Sequence, residues 1–441
     1  MNLISLINNR QFLSLLVGIM PLSFLIGNMA ISINTILLTL IPLMIFGKEI
    51  FKIKIHLLDK IIIAYFILVI ITGVINNLQL YPILKTFDGD MSYKEYFLTT
   101  IKSVFFLKYL LIYFILRFFI EKDVIDLKIF FILCAATSLF VCFDIFYQFL
   151  VGKDIFGYAA TGRKLSGPFG DELIAGGFVQ RFSLFAFFII PLFFINYNKR
   201  LNVIIPFLFL IYFVGITLSG NRMHLLLFIF MFFLIILFQK QTRKFFLPFI
   251  IIFSLTFFLI FNTNKFVRDN FLSFYGQTSK MINILIHKDF NEETYPQYLK
   301  EFHTFYDTWL INKYVGGGIK NFRYYCHTRS NLKKNQKFVC NMHPHNYYLE
   351  ILTETGLVGF VLVIFIFSVT LYITFFKKYF LNSNLKYNNI IIPFIFLFII
   401  EIFPIKSTGS FFTTGNATYL FLLLGILIGL ARRDNLIEKE K

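Results

Sequence analysis

The sequence is short of charge. Asp, Glu, Lys and Arg make up 15% of its 441 residues, against 57% hydrophobic residues and a mean hydropathy of +0.72. A soluble domain cannot hide that much apolar surface, so the composition excludes an ordinary soluble globule and points to a multi-span membrane protein. Tryptophan occurs once, beside 63 Phe and 23 Tyr. That imbalance, with abundant Ile, Asn and Lys, has the look of AT-rich coding and carries no functional information. Cysteine occurs four times, at spacings that match no common zinc framework. The first apolar stretch lacks a small-residue cleavage site and runs into a second, so no cleavable signal peptide is expected. Internal repeats and low-complexity linkers are absent as well.

What the chain does have is apolar runs of spanning length. They fall at about 11–29, 30–47, 60–76, 101–119, 127–150, 177–196, 202–219, 223–238, 245–262, 346–376, 389–404 and 413–430. The expected class is therefore all-α and polytopic, with about twelve transmembrane helices. The formal net charge of +18 has a membrane explanation: basic residues collect in short cytoplasmic loops. The expected partners include membrane lipids and no nucleic acid. Arg10, then Lys48 to Lys60, Lys122 and Lys128, Lys199 and Arg200, Lys240 to Lys244, Lys377 and Lys378, and Arg432 and Arg433 occupy alternate connections. With twelve spans all of these lie on one side, which would be the cytoplasm, and both termini lie there too.

Four longer or motif-bearing segments then fall on the external side: 77–100, 151–176, the turn Ser219-Gly220-Asn221-Arg222, and 263–344. Three parts follow: 1–262 with about nine helices, a long external loop at 263–344, and 345–441 with about three helices. The loop is 82 residues long, with 12 Lys or Arg against 6 Asp or Glu and four of the seven histidines. A structureless loop of that length would be unusual, so short helices are expected in it. The spacing of Phe302, Phe305, Tyr306 and Trp309 predicts one, ended by Gly316-Gly317-Gly318. Its positive excess suits an anionic partner; a plain solvated basic surface is the competing reading.

The organising stretch is His343-Pro344-His345-Asn346-Tyr347-Tyr348-Leu349-Glu350, continued by Glu354-Thr355-Gly356-Leu357-Val358-Gly359. Pro344 predicts a helix start, with His345 and Asn346 in the first turn. A neutral imidazole able to accept a proton is favoured there. Asn346, Glu350 and Thr353 share a face at i, i+4, i+7. Gly356 and Gly359 leave room for close helix packing. A polar helix cap with two packing glycines is the bland alternative.

His345-Asn346, nine residues, then Gly356-x-x-Gly359 resembles the signature of the O-antigen ligase and O-antigen polymerase superfamily of polytopic glycan transferases. The resemblance implies a saccharide donor carried on undecaprenyl diphosphate, and an acceptor that is lipid A–core or another lipid-linked glycan. It implies His345 as catalytic base with Asn346 beside it, and Arg222, after its Ser-Gly-Asn turn, as a diphosphate-binding residue. Asn221 stands where that family often has a small residue. A guanidinium fork fits phosphate oxygens, although an interfacial arginine can also simply snorkel. The resembled enzymes carry a second arginine early in the loop. The stretch Tyr295 to Trp309 has none; Arg323 and His303 are the candidates, with Arg268 and Lys300 open. No cofactor or metal is implied, and Asp88-Gly89-Asp90 is read as an ordinary turn.

The remaining motifs support this reading. Ser166-Gly167-Pro168-Phe169-Gly170-Asp171-Glu172 resembles a Gly-Pro-Phe stretch of those enzymes, its alternative being a plain turn. Arg181 lies inside the next span, where a charge needs a partner, and Glu172 or Asp171 is the candidate. Cys134 and Cys142 are expected to pack inside a span. If the external face is the periplasm, Cys326 and Cys340 are expected to form a disulfide, with zinc binding by His327 and His343 the weaker alternative. The function expected is an O-antigen ligase-like glycosyltransferase at the periplasmic face of the inner membrane. A polymerase joining lipid-linked repeats is the alternative. A transporter without chemistry would place charge along many spans, and these are largely uncharged. A sensor using the loop would need a signalling domain.

Overall fold

Apolar runs in a bilayer must satisfy their own backbone, and the helix does so within one segment. A computed structural model describes residues 3–84, 97–160, 164–193, 201–287, 295–322, 326, 344–380, 390–407 and 409–437. Among them the architecture is all-helical, with one isolated antiparallel bridge, Lys153 to Ala159. The helices are α1 Leu3–Gly18, α2 Met20–Ile26, α3 Asn28–Phe46, α4 Leu57–Leu84, α5 Leu98–Glu121, α6 Lys128–Val151, α7 Ala175–Phe182 and α8 Leu184–Phe193. They continue as α9 Leu201–Leu218, α10 Arg222–Phe238, α11 Phe246–Thr263, α12 Lys265–His287, α13 Gln297–Trp309, α14 Tyr347–Leu371, α15 Ile391–Glu401 and α16 Thr414–Ile437. Nine of the described helical segments are long and apolar enough to cross a membrane. Three shorter apolar helices, Arg10–Ile26, Arg222–Phe238 and Ile391–Glu401, coincide with the other three runs in the sequence. The chain is a multi-pass membrane protein.

Helix α16 is the most enclosed of the spans, and it lies along α5. Gly425 and Gly429 make that approach possible. A Cβ on Gly425 would lie 3.0 Å from Leu116 Cβ, and one on Gly429 2.7 Å from Ile120 Cβ. Two glycines four residues apart let helix backbones close without a hydrophobic driving force between them. Elsewhere the abundant Phe fills the gaps: Phe130, Phe131, Phe185 and Phe394 meet edge to face or stacked, with Phe131 and Phe185 centroids 4.9 Å apart. Cys134 and Cys142 are buried and free, as packing residues would be.

The two ends of the bundle differ. At one end the start of α4 and the ends of α5 and α16 meet in a buried ionic knot. Arg117 Nη1 lies 2.7 Å from Asp59 Oδ1 and its Nε 2.5 Å from Glu121 Oε1. Arg432 reaches Asp59 at 3.2 Å, and Tyr113 donates to Asp59 at 2.6 Å. Charges at membrane depth persist when paired in this way. At the other end lie the starts of α7, α10, α14 and α16. Over that end pass α12 and α13, so part of segment 263–344 is helical, and α13 contains the expected aromatic helix.

Candidate active site

The helix at the organising stretch begins at Tyr347, three residues later than Pro344 suggests. Asn346, extended at φ −141°, is the N-cap of α14, and its Oδ1 accepts from the N–H groups of Tyr348 and Leu349 at 3.0 and 3.1 Å. A capping amide that satisfies two orphan donors outweighs proline's preference for the first turn. His345 therefore stands just before the helix. It sits at φ +53°, one of three described non-glycine residues with positive φ. Histidine tolerates that conformation better than most residues, and such strain persists where the surroundings enforce it. Asn346 Nδ2 donates to Pro404 O at 2.8 Å and reaches Lys406 O at 3.4 Å. Both arms of the amide are thus bound to protein, and the His345 turn is tied to the α15–α16 connection.

Glu350, one turn into α14 and fully buried, fixes the same connection. It accepts from Ser410 Oγ and Phe411 N, both at 2.5 Å, with Lys320 Nζ 3.5 Å away. Lys320 is a second residue in the left-handed region, at φ +64°. It bonds Ser410 Oγ at 2.9 Å.

Gly356 does not make room for a helix. It sits at φ +67°, ψ −171°, and kinks α14. The room is filled by the backbone of the long segment. Gly317 N donates to Thr353 O at 2.9 Å, Gly318 N to Glu354 O at 2.8 Å, Leu357 N to Lys313 O at 2.8 Å and Val358 N to Tyr314 O at 3.1 Å. A Cβ on Gly356 would lie 2.3 Å from the carbonyl of Tyr314, and one on Gly316 2.4 Å from Gly356 N. The kink also folds Thr355 over Gly359, where a Cβ would meet Thr355 Cβ at 2.4 Å. Leu68 of α4 lies 3.5 Å from that same point. Gly356 thus serves the backbone docking, while Gly359 leaves room for the Thr355 side chain and for Leu68 of α4.

Arg181 corrects another expectation. Its partner is neither Glu172 nor Asp171, which are exposed. It makes a two-pronged pair with Glu401, at 2.7 and 3.3 Å, and donates to Asn416 Oδ1 at 2.6 Å. Lys406 Nζ binds the same Glu401 oxygen at 2.7 Å, and Tyr347 donates to it at 2.6 Å. An arginine in a span can reach across to another helix end, whereas the nearest acids in sequence sit in a solvated turn. Glu401 and Lys406 were overlooked in the sequence. The available signal is an acid inside the apolar run 389–404 and a base just beyond it.

Arg222 opens α10. Its Nη1 donates to Asn270 O at 2.8 Å, and the guanidinium lies 5.4 Å from the Phe274 ring, so it is tied to α12. Asn221 explains its own presence: Oδ1 accepts from Gly176 N at 2.9 Å and Nδ2 donates to Leu173 O at 3.0 Å. The amide thus holds the start of α7, just past the Gly-Pro-Phe segment, against the Arg222 turn. Two residues on, His224 lies against Gly177, within electrostatic reach of Lys406, Arg181 and Glu401. The starts of α7, α10 and α14 therefore share one polar region.

His303 is partly exposed on α13, its Nδ1 3.4 Å from Asp307. Cys326 is buried and disulfide-bonded. Cys340, its expected partner, lies outside the described residues, as do Arg323, His327, His343 and the Asp88–Asp90 turn.

The fold and site define a class: a multi-pass helical membrane protein with its histidine, arginine and glycine motifs gathered at one end. Residues 207–364 match the family described as O-Antigen ligase. That span contains Arg222 and the whole His345–Gly359 stretch, so the resemblance to the O-antigen ligase superfamily holds on the residues that suggested it. The family points to a membrane glycosyltransferase of the ligase or polymerase type. No curated protein matches the chain.

Proposed function

We propose that the chain is a twelve-span inner-membrane glycosyltransferase with both termini in the cytoplasm, the site end of the bundle facing the periplasm, and segment 263–344 as its periplasmic loop. It transfers a saccharide from undecaprenyl diphosphate to lipid A–core. An acceptor hydroxyl attacks the anomeric carbon, the bond from that carbon to the diphosphate oxygen breaks, and undecaprenyl diphosphate leaves. His345 takes the hydroxyl proton. Arg222 binds the diphosphate and offsets the charge that develops on it. Asn346, with both amide arms engaged, positions His345 rather than touching the acceptor. Arg323 and His303 are the loop's own candidates for a second cation.

The observation that carries this proposal is the left-handed His345 turn, clamped by the Asn346 cap and by the docking of 313–318 on Gly356. A plain helix cap needs neither the strain nor the second clamp. A polymerase would differ in acceptor, not in these roles. The test is a null strain examined for lipopolysaccharide. Lipid A–core without polymer identifies the ligase, and single-repeat caps identify the polymerase. Unchanged lipopolysaccharide would overturn both.

A further inference from the structure

We propose that Lys406 supplies the second cation for the lipid diphosphate, from a buried cluster of two cations and one carboxylate beside the His345 turn. This rests on the donor reading above. Arg181 and Lys406 share the single carboxylate of Glu401, each 2.7 Å from Oε1. The neighbouring carboxylate, Glu350, has its own lysine, Lys320. Among the described residues the cluster thus carries one positive charge in excess. Burying an uncompensated charge is costly, and an anion that enters beside it removes the cost.

Of the two cations, Lys406 is the one with capacity to spare. Arg181 spends its fork on Glu401 and Asn416. An ammonium has three donors, and the contacts of Lys406 Nζ are Glu401 Oε1, the Tyr347 hydroxyl at 3.4 Å and the Tyr347 ring at 4.6 Å. Its position also fits. The Lys406 carbonyl is a partner of Asn346 Nδ2, so it lies one residue from His345. The preceding Ile405 is 72% exposed and the Arg181 side chain keeps 14% exposure, against 4% for Lys406, so the cluster lies just beneath the surface of this end. Burial, with Arg181 adding and Glu401 opposing, pushes the Lys406 ammonium down to about 8. A bound diphosphate would favour its charged form.

The test uses the full chain in nanodiscs, with undecaprenyl diphosphate as probe and undecaprenol as its uncharged counterpart. Lys406→Met should weaken diphosphate binding roughly 10- to 100-fold, as loss of a charge-assisted contact does. Undecaprenol binding should not change. The thermal midpoint should not fall, because Glu401 keeps Arg181 and Tyr347 and the substitution removes the cost of the excess buried charge. Lys406→Arg should restore part of the binding. Three results overturn the proposal: diphosphate binding at wild-type strength in Lys406→Met, equal losses for both lipids with a fallen midpoint, or no recovery in Lys406→Arg. If Arg222→Ala abolishes the diphosphate preference while Lys406→Met keeps it, only the Lys406 assignment falls. If the wild type shows no preference for diphosphate over undecaprenol, the donor reading falls and this inference with it.

Discussion

Gly356→Ala should undock the loop that covers the site. The position has φ +67° and ψ −171°, a region open to glycine almost alone, which costs a side chain of order 1–3 kcal/mol. The new methyl would also lie 2.3 Å from both the carbonyl carbon and oxygen of Tyr314. Backbone cannot yield as a flexible side chain does, so the strands of chain must separate. Separation gives up the four hydrogen bonds between 313–318 and 353–358. At about 0.5–1.5 kcal/mol each, that is about 2–6 kcal/mol. A shift of that size lowers the docked population roughly 30-fold or more. Hydrogen exchange should show the amides of Gly317, Gly318, Leu357 and Val358 losing protection by that factor, with glycan transfer falling in parallel. Gly276→Ala is the control: on α12, a Cβ there meets nothing within 4 Å, and it should leave both readouts unchanged. Wild-type protection and turnover in Gly356→Ala would refute the docking account.

Other outcomes follow from the same geometry. Arg222→Ala should abolish transfer from a purified lipid-linked donor, and Arg222→Lys should recover little, because an ammonium lacks the fork for phosphate oxygens. Full activity in Arg222→Ala would leave this residue an interfacial snorkeler. Lys406 is held at about 8 in the folded chain against 10.5 unfolded, so the unfolded chain holds more protons between those values. Thermal stability should therefore rise with pH from about 8 to about 10.5, and Lys406→Met should lose that slope; an identical slope in the variant would contradict it. At the opposite end, Arg117→Leu breaks the buried pair with Asp59 and Glu121 and should cost about 3–5 kcal/mol in unfolding measurements. A change under 1 kcal/mol would show that Arg432 and Tyr113 suffice.

The helical runs were legible because hydropathy over spanning lengths is a local property: among the described residues nine runs coincide with helices long and apolar enough to cross a membrane, and three with shorter apolar helices. The Gly356–Gly359 pair was legible as a close approach but not as to what approaches. A glycine records that space is needed, while the segment that fills it, 313–318, lies some forty residues away in sequence. The helix start at Tyr347 was misplaced because proline's preference was weighed without the capping amide of Asn346. The Arg181 pairing was misassigned for a related reason: local acids were at hand, and Glu401 is 220 residues distant. Glu401 near the end of the run 389–404 and Lys406 just past it read as the flank of an apolar span, and only the tertiary fold turns them inward beside the His345 turn.

The proposed role of His345 is to take the acceptor proton in transfer from undecaprenyl diphosphate. It is tested most directly by the initial rate of undecaprenyl diphosphate release, with purified lipid-linked saccharide and lipid A–core acceptor. Wild type, His345→Ala and His343→Ala are compared across pH, with donor binding checked separately. Loss of a positioned base should lower the rate in His345→Ala roughly 10²- to 10⁴-fold with donor binding intact. His343→Ala should keep a substantial fraction of the rate. Normal turnover in His345→Ala, or a dead His343→Ala beside an active His345→Ala, would contradict the account.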